Sequence, residues 1–430
     1  MMLSSSYQAC LTRRKASVRN QKQSAARTLH RPKEQSSRLG QTLNCGSQRP
    51  ATYKRAAVTV KASSTFENTT TELKDVQPKI GTDCYVEVKK GFSAEETEAA
   101  VRAGVQHIEQ EGYVVIRTGE TDVDPMYMET VCKSVMEVDP QIGWASYNGG
   151  GGVFRPPLFP DGSTWISAAE GAPKKLPVEF HNEMAYANTY PSRIAFGMFA
   201  CSEDYVGGET RLCDDVLLTE LLDNHPELYE KMKTLGVQYV RNLKDKEDSD
   251  LEHLTSWQGA FLVNDWEEAK DLVAKNPHNV LKADTSPLQQ RTWRPLFHKH
   301  PVLDKDLLFC SILNRHATWF EQPGYAEPDQ TPVPSEEYAG VPLNERPYHM
   351  LWGDGSELTT EEINVIRHLH AEAEIRVKLN AGDVLIADNL RLQHGRMPWK
   401  GSVRQLGLLI SGMVDRAELP GVSSTPPVTL

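Results

Sequence analysis

The most informative stretch of the chain reads Val178-Glu179-Phe180-His181-Asn182-Glu183-Met184-Ala185. In an extended segment, residues i and i+2 project to the same side, so His181 and Glu183 point together while Asn182 points away. An imidazole beside a carboxylate makes up two of the three ligands of a 2-His-1-carboxylate triad, which keeps coordination positions open and suits Fe(II). On its own this motif is weak, because a surface histidine beside a glutamate is common.

A second stretch supplies the missing ligand and reads Asp388-Asn389-Leu390-Arg391-Leu392-Gln393-His394-Gly395-Arg396. His394 follows a short apolar strand predicted at 384–387, and Arg404 lies ten residues beyond it. A guanidinium there suits the remote carboxylate of 2-oxoglutarate, whose keto-acid end would chelate the metal. Taken alone, Arg404 is better explained by an ion pair at a strand end.

Two other histidine pairs compete for the role of ligand. His298 and His300 have the same i, i+2 spacing, and we interpret both as structural or lid residues. His368 and His370 fall in a predicted helix, where residues two apart diverge, so we predict a solvated surface for them.

Further motifs agree with these stretches in order and spacing: F-H-N-E-M-A at 180–185, Y-P-S at 190–192, G-G-E-T at 207–210, G-D-V-L-I-A-D-N at 382–389 and H-G-R at 394–396. Over residues 176–409 the sequence thereby resembles the taurine dioxygenase/clavaminate synthase-like superfamily of Fe(II), 2-oxoglutarate-dependent oxygenases, especially its plant and algal clavaminate synthase-like branch. The resemblance implies a double-stranded β-helix (jelly-roll) core, with Fe(II), 2-oxoglutarate and O₂ as cofactor and co-substrates.

The same resemblance assigns roles to individual residues. The metal ligands, which are also the catalytic residues, correspond to His181, Glu183 and His394. Thr210 corresponds to a second hydrogen-bond donor to 2-oxoglutarate, beside Arg404 as its salt-bridge partner. Taurine dioxygenase grips its substrate sulfonate with an arginine four residues after this one, where the chain has Leu408, so a sulfonate substrate is not supported. Arg396 is either a contact for a substrate anion or a structural contact.

The predicted reaction is the oxidation of a small organic substrate, by default its hydroxylation, with release of succinate and CO₂. A carboxylate at Glu183 argues against halogenation, because related halogenases leave that ligand position to chloride. Two alternatives stay open: a non-catalytic jelly-roll protein that binds a small molecule or a partner, and a zinc hydrolase with His and Glu ligands. Neither alternative explains a functional role for Thr210 and Arg404.

The surrounding pattern predicts a mainly β fold with flanking helices. Capping boxes at Ser93 and Thr359 open amphipathic helices, and short apolar strands separated by turns favour a jelly roll over a parallel α/β sheet. Residues 63–430 are predicted to form one oxygenase domain. Within it, the weakly periodic residues 241–345 are predicted to be a helical and loop insertion over the active site, which the glycine-rich loop at 148–157 is also predicted to cover.

Composition excludes several classes of partner. The net charge of -11 is uneven, because residues 63–430 hold 34 basic and 57 acidic residues, a balance of -23. Such a body should repel nucleic acids. No run of 18 apolar residues suggests a membrane span, and the seven cysteines form no C-x-x-C pair. We therefore expect a small-molecule substrate as the partner; oligomeric state leaves no signal in the sequence.

The first 62 residues predict an organellar transit peptide. They contain 13 Lys or Arg and one acidic residue, Glu34, are rich in Ser, and lack the apolar core of a secretory signal. The serine content and the plant and algal resemblance favour a chloroplast over a mitochondrion. A fluorescent protein fused after residue 70 should therefore enter plastids, and a purely cytosolic signal would contradict the prediction.

Overall fold

The computed structural model describes residues 79–416, apart from 82–83, 138–142, 146–154, 160, 162, 170–171, 173, 249–255, 276–278, 283–287 and 322–339. The predicted transit peptide and residues 148–152 of the glycine-rich loop lie outside the described residues, as does part of the predicted insertion. Among the described helices, none is long and apolar enough to cross a membrane.

Short strands dominate the described part of the chain. They are, in chain order, β1 (Lys79–Ile80), β2 (Tyr85–Glu87), β3 (Tyr113–Arg117), β4 (Trp144–Ala145), β5 (Ser167–Ala168), β6 (Val178–His181), β7 (Thr189–Pro191), β8 (Arg193–Cys201), β9 (Val206–Gly207), β10 (Thr210–Asp214), β11 (Val237–Leu243), β12 (Asn279–Lys282), β13 (Leu288–Arg294), β14 (Phe297–Lys299), β15 (Asp306–Leu308), β16 (Tyr348–Trp352), β17 (Glu374–Val377), β18 (Asp383–Asp388), β19 (Leu392–Arg396), β20 (Trp399–Lys400), β21 (Arg404–Ser411) and β22 (Met413–Asp415). The α-helices are α1 (Ala94–Glu111), α2 (Pro125–Met136), α3 (Asp215–Leu222), α4 (Pro226–Leu235), α5 (Trp257–Phe261), α6 (Trp266–Ala274), α7 (Ile312–Arg315) and α8 (Thr360–Glu372), and short 3₁₀ turns occupy Lys246–Asp248, Ala317–Glu321 and Leu343–Glu345.

Two sheets face each other at the centre. The smaller has the order β1-β17-β10-β19-β6, and the larger has the order β2-β3-β18-β8-β21-β4, with β5 also paired to β21. Their facing sides share one apolar core, whose members include Leu212, Leu392, Phe196, Leu385 and Leu408. The predicted mainly β class with a jelly-roll core is thus confirmed.

Helices cover the outer faces of both sheets because the strands alternate their side chains. On β3, Tyr113 and Val115 face the central core, whereas Val114 and Ile116 pack with residues of α1 and α2. Beyond the smaller sheet, α3, α4 and α8 share a second core with the sheet β12-β13-β11-β16. The central sheets are therefore buried on both sides.

The structure confirms both predicted helix caps, but the predicted insertion also contains strands that its sequence pattern does not indicate. Both capping boxes form, at Ser93 with Glu96 and at Thr359 with Glu362. Residues 241–345 contain, besides short helices, the strands β12 and β13, which extend a four-stranded sheet with β11 and β16, and the two-stranded sheet β14-β15. On β13 (Leu288–Arg294) every second residue is buried at first, but several of the buried residues are polar, which hides the period-2 hydrophobic pattern.

The pairing of β19 with β6 fixes the position of the central motifs. His394 on β19 stands opposite His181 on β6, and the register then shifts before Arg396. Between them, a Cβ on Gly395 would lie only 2.4 Å from the carbonyl oxygen of Val178. Only glycine lets the two backbones come this close, so the H-G-R motif contains a packing requirement as well as a histidine.

We expect Gly395→Ala to push β6 away from β19 and to separate the two histidines. Overpacking of this kind costs about 1–3 kcal/mol of the free energy of unfolding, and binding of the predicted metal should weaken as well. Chemical denaturation and metal titration measure the two effects. Gly91→Ala is the matched control because nothing lies within 4 Å of its added Cβ; equal behaviour of the two variants would contradict the packing argument.

Candidate metal centre

The three predicted ligands converge on one point. His181 ends β6 opposite His394 on β19, and Glu183 begins the turn that follows β6. One ligand atom from each side chain lies within 4.8 Å of the other two, and the two imidazole ring centroids are 4.2 Å apart. The period-2 argument from the sequence therefore corresponds to the observed geometry.

The chemistry of these atoms fits a divalent metal. Nδ1 of His181 donates to the carbonyl oxygen of Glu179 (2.8 Å), which leaves Nε2 as an acceptor. His394 Nε2 and Glu183 Oε2 lie 3.3 Å apart, which is ion-pair distance, yet this buried oxygen has no hydrogen-bond partner among the described residues. Two acceptor atoms at this distance repel each other unless a cation or a proton lies between them. Two imidazoles and a carboxylate suit Fe(II) in that place.

Protonation states in the site also favour metal binding. Burial, followed by the neighbouring His394, lowers the pKa of His181 to about 3, so this imidazole stays neutral. Burial works to raise the pKa of the Glu183 carboxyl, but His394 and Arg155 outweigh it and hold that pKa below its usual range. A neutral imidazole and an ionised carboxylate are the forms that coordinate metals.

Asn389 holds the backbone that carries Glu183. Its Oδ1 accepts the N–H of Glu183 (2.7 Å), and its Nδ2 donates to the Glu183 carbonyl (3.1 Å) and to that of Pro191 (2.7 Å). The next residue, Met184, has a φ of 60°, in the left-handed region that non-glycine residues rarely adopt. The amide clamp and this sharp turn together direct the Glu183 carboxylate back toward the histidines.

The two residues predicted to hold 2-oxoglutarate are buried in opposite sheets. Thr210 lies on β10, two residues from Leu212, which stands opposite His394. Arg404 begins β21, and its Nη2 donates to the carbonyl of Gly208 (3.3 Å), in the segment that leads into Thr210. Burial lowers the pKa of Arg404 to about 10, so the guanidinium remains charged at neutral pH.

Comparison with known proteins identifies the family. The family model "Taurine catabolism dioxygenase TauD, TfdA family" matches residues 72–408. The chain belongs to the TauD/TfdA family. It is similar to the dapdiamide synthesis protein DdaC of Enterobacter agglomerans (29% identity over 238 residues, 55% of this chain and 67% of DdaC). It is also similar to a clavaminate synthase-like protein of Arabidopsis thaliana (23% over 252 residues, 57% of this chain and 68% of the relative).

Solved structures similar to this TauD/TfdA-family protein include PvcB from Pseudomonas aeruginosa, with a TM-score of 0.41 and 14% identity over 81% of this chain and 92% of PvcB. Another is AAD-2 in complex with Mn(II) and N-oxalylglycine, with a TM-score of 0.38 and 12% identity over 81% of this chain and 99% of AAD-2. Family membership confirms the resemblance found in the sequence. The protein is an Fe(II), 2-oxoglutarate-type oxygenase that uses O₂.

Two positions bear on how this TauD/TfdA-family oxygenase recognises its substrate. Arg396 donates to the carbonyl oxygens of Ala172 (3.4 Å) and Leu176 (2.9 Å), which supports the structural alternative for this residue. Leu408 is buried in the central core and pairs with Phe196 on β8. The strand that carries Arg404 therefore offers an apolar side chain where taurine dioxygenase has its second arginine.

One interpretation of the competing histidines is wrong. His370 is not solvated; it is buried under α8, with its ring 5.5 Å from that of Phe180. It lies four residues after Ile366 and seven after Ile363, so the helical period itself puts it on the inward face. His368 does remain partly exposed and pairs with a glutamate one turn later.

The other pair, His298 and His300, stabilises the backbone near the metal site. Nε2 of His298 bonds the carbonyl of Leu390 (3.0 Å), and burial lowers its pKa to about 4. Nε2 of His300 lies 3.3 Å from the carboxylate of Asp388, which also pairs with Arg193. Both histidines thus support the segment that leads to His394.

Behind the ligands lies a buried polar network that the sequence did not reveal. Asn182, between the first two ligands, donates to Asp215 Oδ2 (3.2 Å). Gln393, next to His394, has one terminal amide atom 2.7 Å from Asp215 Oδ1 and the other 3.2 Å from Nε2 of His370. The network therefore connects both ligand-bearing strands to α3 and α8, and polar residues flanking the ligands were its only sequence signal.

Hydrogen-bond geometry and the directions of the pKa shifts together favour an electrically neutral network. Nδ1 of His370 lies 2.7 Å from the carbonyl of Ile366 and must donate to it. Burial lowers the pKa of His370, so its neutral ring accepts at Nε2. Gln393 then presents its NH₂ to His370, which reverses the amide orientation that points Nε2 of Gln393 at Asp215. The amide oxygen then faces Asp215, which has to carry a proton. Burial raises the pKa of Asp215 well above its ordinary value, in agreement with this arrangement.

Asp215→Asn should therefore be tolerated. A carboxyl whose pKa is raised on folding holds a proton that the unfolded chain releases above about pH 4, so it makes the wild type less stable as pH rises. Asn keeps the hydrogen bonds without this penalty. Relative to the wild type, the free energy of unfolding of the variant should increase from pH 4.5 to pH 8. Denaturant titration at several pH values measures this difference.

Two controls define the outcome for Asp215. Asp215→Ala leaves Gln393 and Asn182 without their partner and should lose about 1–3 kcal/mol. The exposed Asp271→Asn should show no change with pH relative to the wild type. If Asp215→Asn destabilises the protein as much as the alanine variant does, the neutral network is wrong.

Proposed function

We propose that this protein is a 2-oxoglutarate-dependent dioxygenase that hydroxylates a small organic substrate, with release of succinate and CO₂. The observation that carries the proposal is the convergence of His181, Glu183 and His394 inside the jelly roll. Fe(II) held by these residues would supply the chemistry by which O₂ and 2-oxoglutarate oxidise a substrate C–H bond.

The residues around the triad support this reaction. Thr210 and Arg404 would bind the remote carboxylate of 2-oxoglutarate, the guanidinium through charge-assisted hydrogen bonds. The ring of Phe196 lies 5.1 Å from that of His394 and places an apolar group beside this ligand, which would limit water at the site. Retention of Glu183 as a ligand favours hydroxylation over halogenation.

The decisive test uses the full-length protein purified without oxygen. We expect succinate to form from 2-oxoglutarate only when Fe(II) is supplied, and His181→Ala to reduce both succinate formation and bound iron to the level of the iron-free protein. His368→Ala, a partly exposed histidine on α8, is the matched control and should behave as the wild type. An active His181→Ala protein would disprove the assignment.

The same experiment separates the non-catalytic alternative. A jelly-roll binding protein would contain no iron after anaerobic purification, and adding Fe(II) with 2-oxoglutarate would produce no charge-transfer absorption band. A zinc hydrolase would hold zinc and be indifferent to 2-oxoglutarate.

A further inference from the structure

Two neighbouring arginines that the sequence did not single out are connected with the turn that carries Glu183. Arg241 on β11 stands directly opposite Tyr348 on β16. Arg315 ends α7, and its Cζ lies 4.6 Å from the ring centroid of Tyr348 and 4.9 Å from that of Tyr186. Tyr186 belongs to the turn that starts at Glu183. Tyr348 thus connects the two guanidiniums, and Tyr186 connects Arg315 to the turn that carries Glu183.

Electrostatic coupling connects Arg315 with the metal ligands and Arg241 with Arg315. Besides burial and His394, the charge of Arg315 lowers the pKa of His181. Burial lowers the pKa of Arg241, and Arg315 lowers it further. Both side chains are nevertheless only half-buried. Groups that lie deep in the protein and yet keep access to solvent are typical of the wall of a cavity.

Neither arginine has an acidic partner within ion-pair distance among the described residues. Three other arginines are paired with carboxylates: Arg193 with Asp388, Arg211 with Glu179 and Glu374, and Arg391 with Asp214. The buried Arg294 and Arg416 instead donate to backbone carbonyls. A charge removed from water is normally paired or bound to a ligand. Glu183 acts on Arg315 only from beyond ion-pair distance. Two neighbouring guanidiniums without an ion-pair partner therefore favour an anion as the missing component.

We propose that Arg241 and Arg315 bind a carboxylate of the substrate, and that the substrate is a small organic acid or amino acid. This inference rests on the proposed function, since it names the substrate class of the same site. The planar guanidinium edge matches the two oxygens of a carboxylate. The rings of Tyr186 and Tyr348 hold Arg315 by cation–π contacts while supplying no negative charge of their own. A cationic amine group at this position would be repelled.

This site is distinct from the one proposed for the co-substrate. Arg404 lies on β21 and bonds the carbonyl of Gly208, whereas Arg241 and Arg315 lie on β11 and α7. Leu408 removes the usual anion contact on β21. An anionic group of the substrate would then be recognised by elements of the predicted insertion at 241–345.

The test measures binding without turnover. Full-length protein loaded anaerobically with Fe(II) and 2-oxoglutarate is titrated with the standard amino acids and simple aliphatic acids, each beside its carboxamide, while the charge-transfer band is followed. We expect at least one carboxylate to bind where its carboxamide does not. Arg241→Gln and Arg315→Gln should raise its Kd about 10- to 100-fold, the effect of a lost charged hydrogen bond, and Arg315→Lys should raise it less.

The controls separate the two anion sites. Arg404→Gln should raise the Kd for 2-oxoglutarate about 10- to 100-fold and leave the preference for carboxylate over carboxamide intact, and the exposed Arg102→Gln should change neither. The inference is overturned if no carboxylate binds better than its carboxamide. It is also overturned if Arg241→Gln and Arg315→Gln weaken 2-oxoglutarate instead, which would make them co-substrate anchors.

Failure of the proposed function has a different signature. No charge-transfer band would form in the wild type. Carboxylate binding to the iron-free protein would then be measured as an increase in its melting temperature. The Arg315→Lys variant and unfolding curves of all variants distinguish lost recognition from lost folding.

Discussion

The structure depends on the contact between β19 and β6. Backbone hydrogen bonding between these strands puts His394 opposite His181. A shift of the strand register by one residue would turn either histidine to the other side of its sheet, and no side-chain interaction elsewhere could compensate for that. The glycine at 395 lets the strands come close enough for that register. Metal binding is therefore a property of the sheet as much as of three side chains.

A second constraint acts from behind the strands. The residues that alternate with the ligands face away from the metal, where the fold has to bury polar groups between the sheet and its helices. Asn182, Gln393, Asp215 and His370 hydrogen-bond to one another, and burial shifts the pKa values of Asp215 and His370 toward their neutral forms. The ligand strands are thereby fixed by a network that favours neutral groups. Asn389 does the same for the turn after β6.

Features of the fold and of the site could be predicted from the sequence when they depend on residues that are close together in the chain. The ligand pair at 181 and 183 needed only the two-residue period of a strand, and the helix caps needed only four consecutive residues. His370 could have been placed correctly, because its spacing from Ile363 and Ile366 already indicated the inward face. The strands within 241–345 could not, since buried polar side chains interrupt their pattern. Arg241 and Arg315 meet only through tertiary packing, and no spacing in the sequence connects them.

The positions of the charged groups have a consequence for how such an enzyme diversifies. The three candidate metal ligands and Arg404 belong to the two central sheets and the turn after β6, where a substitution disturbs a core buried on two sides. Arg241 and Arg315 belong to peripheral elements with a separate hydrophobic core. If these two arginines bind the substrate as proposed, substrate specificity can change through substitutions in the peripheral elements while the metal ligands stay the same.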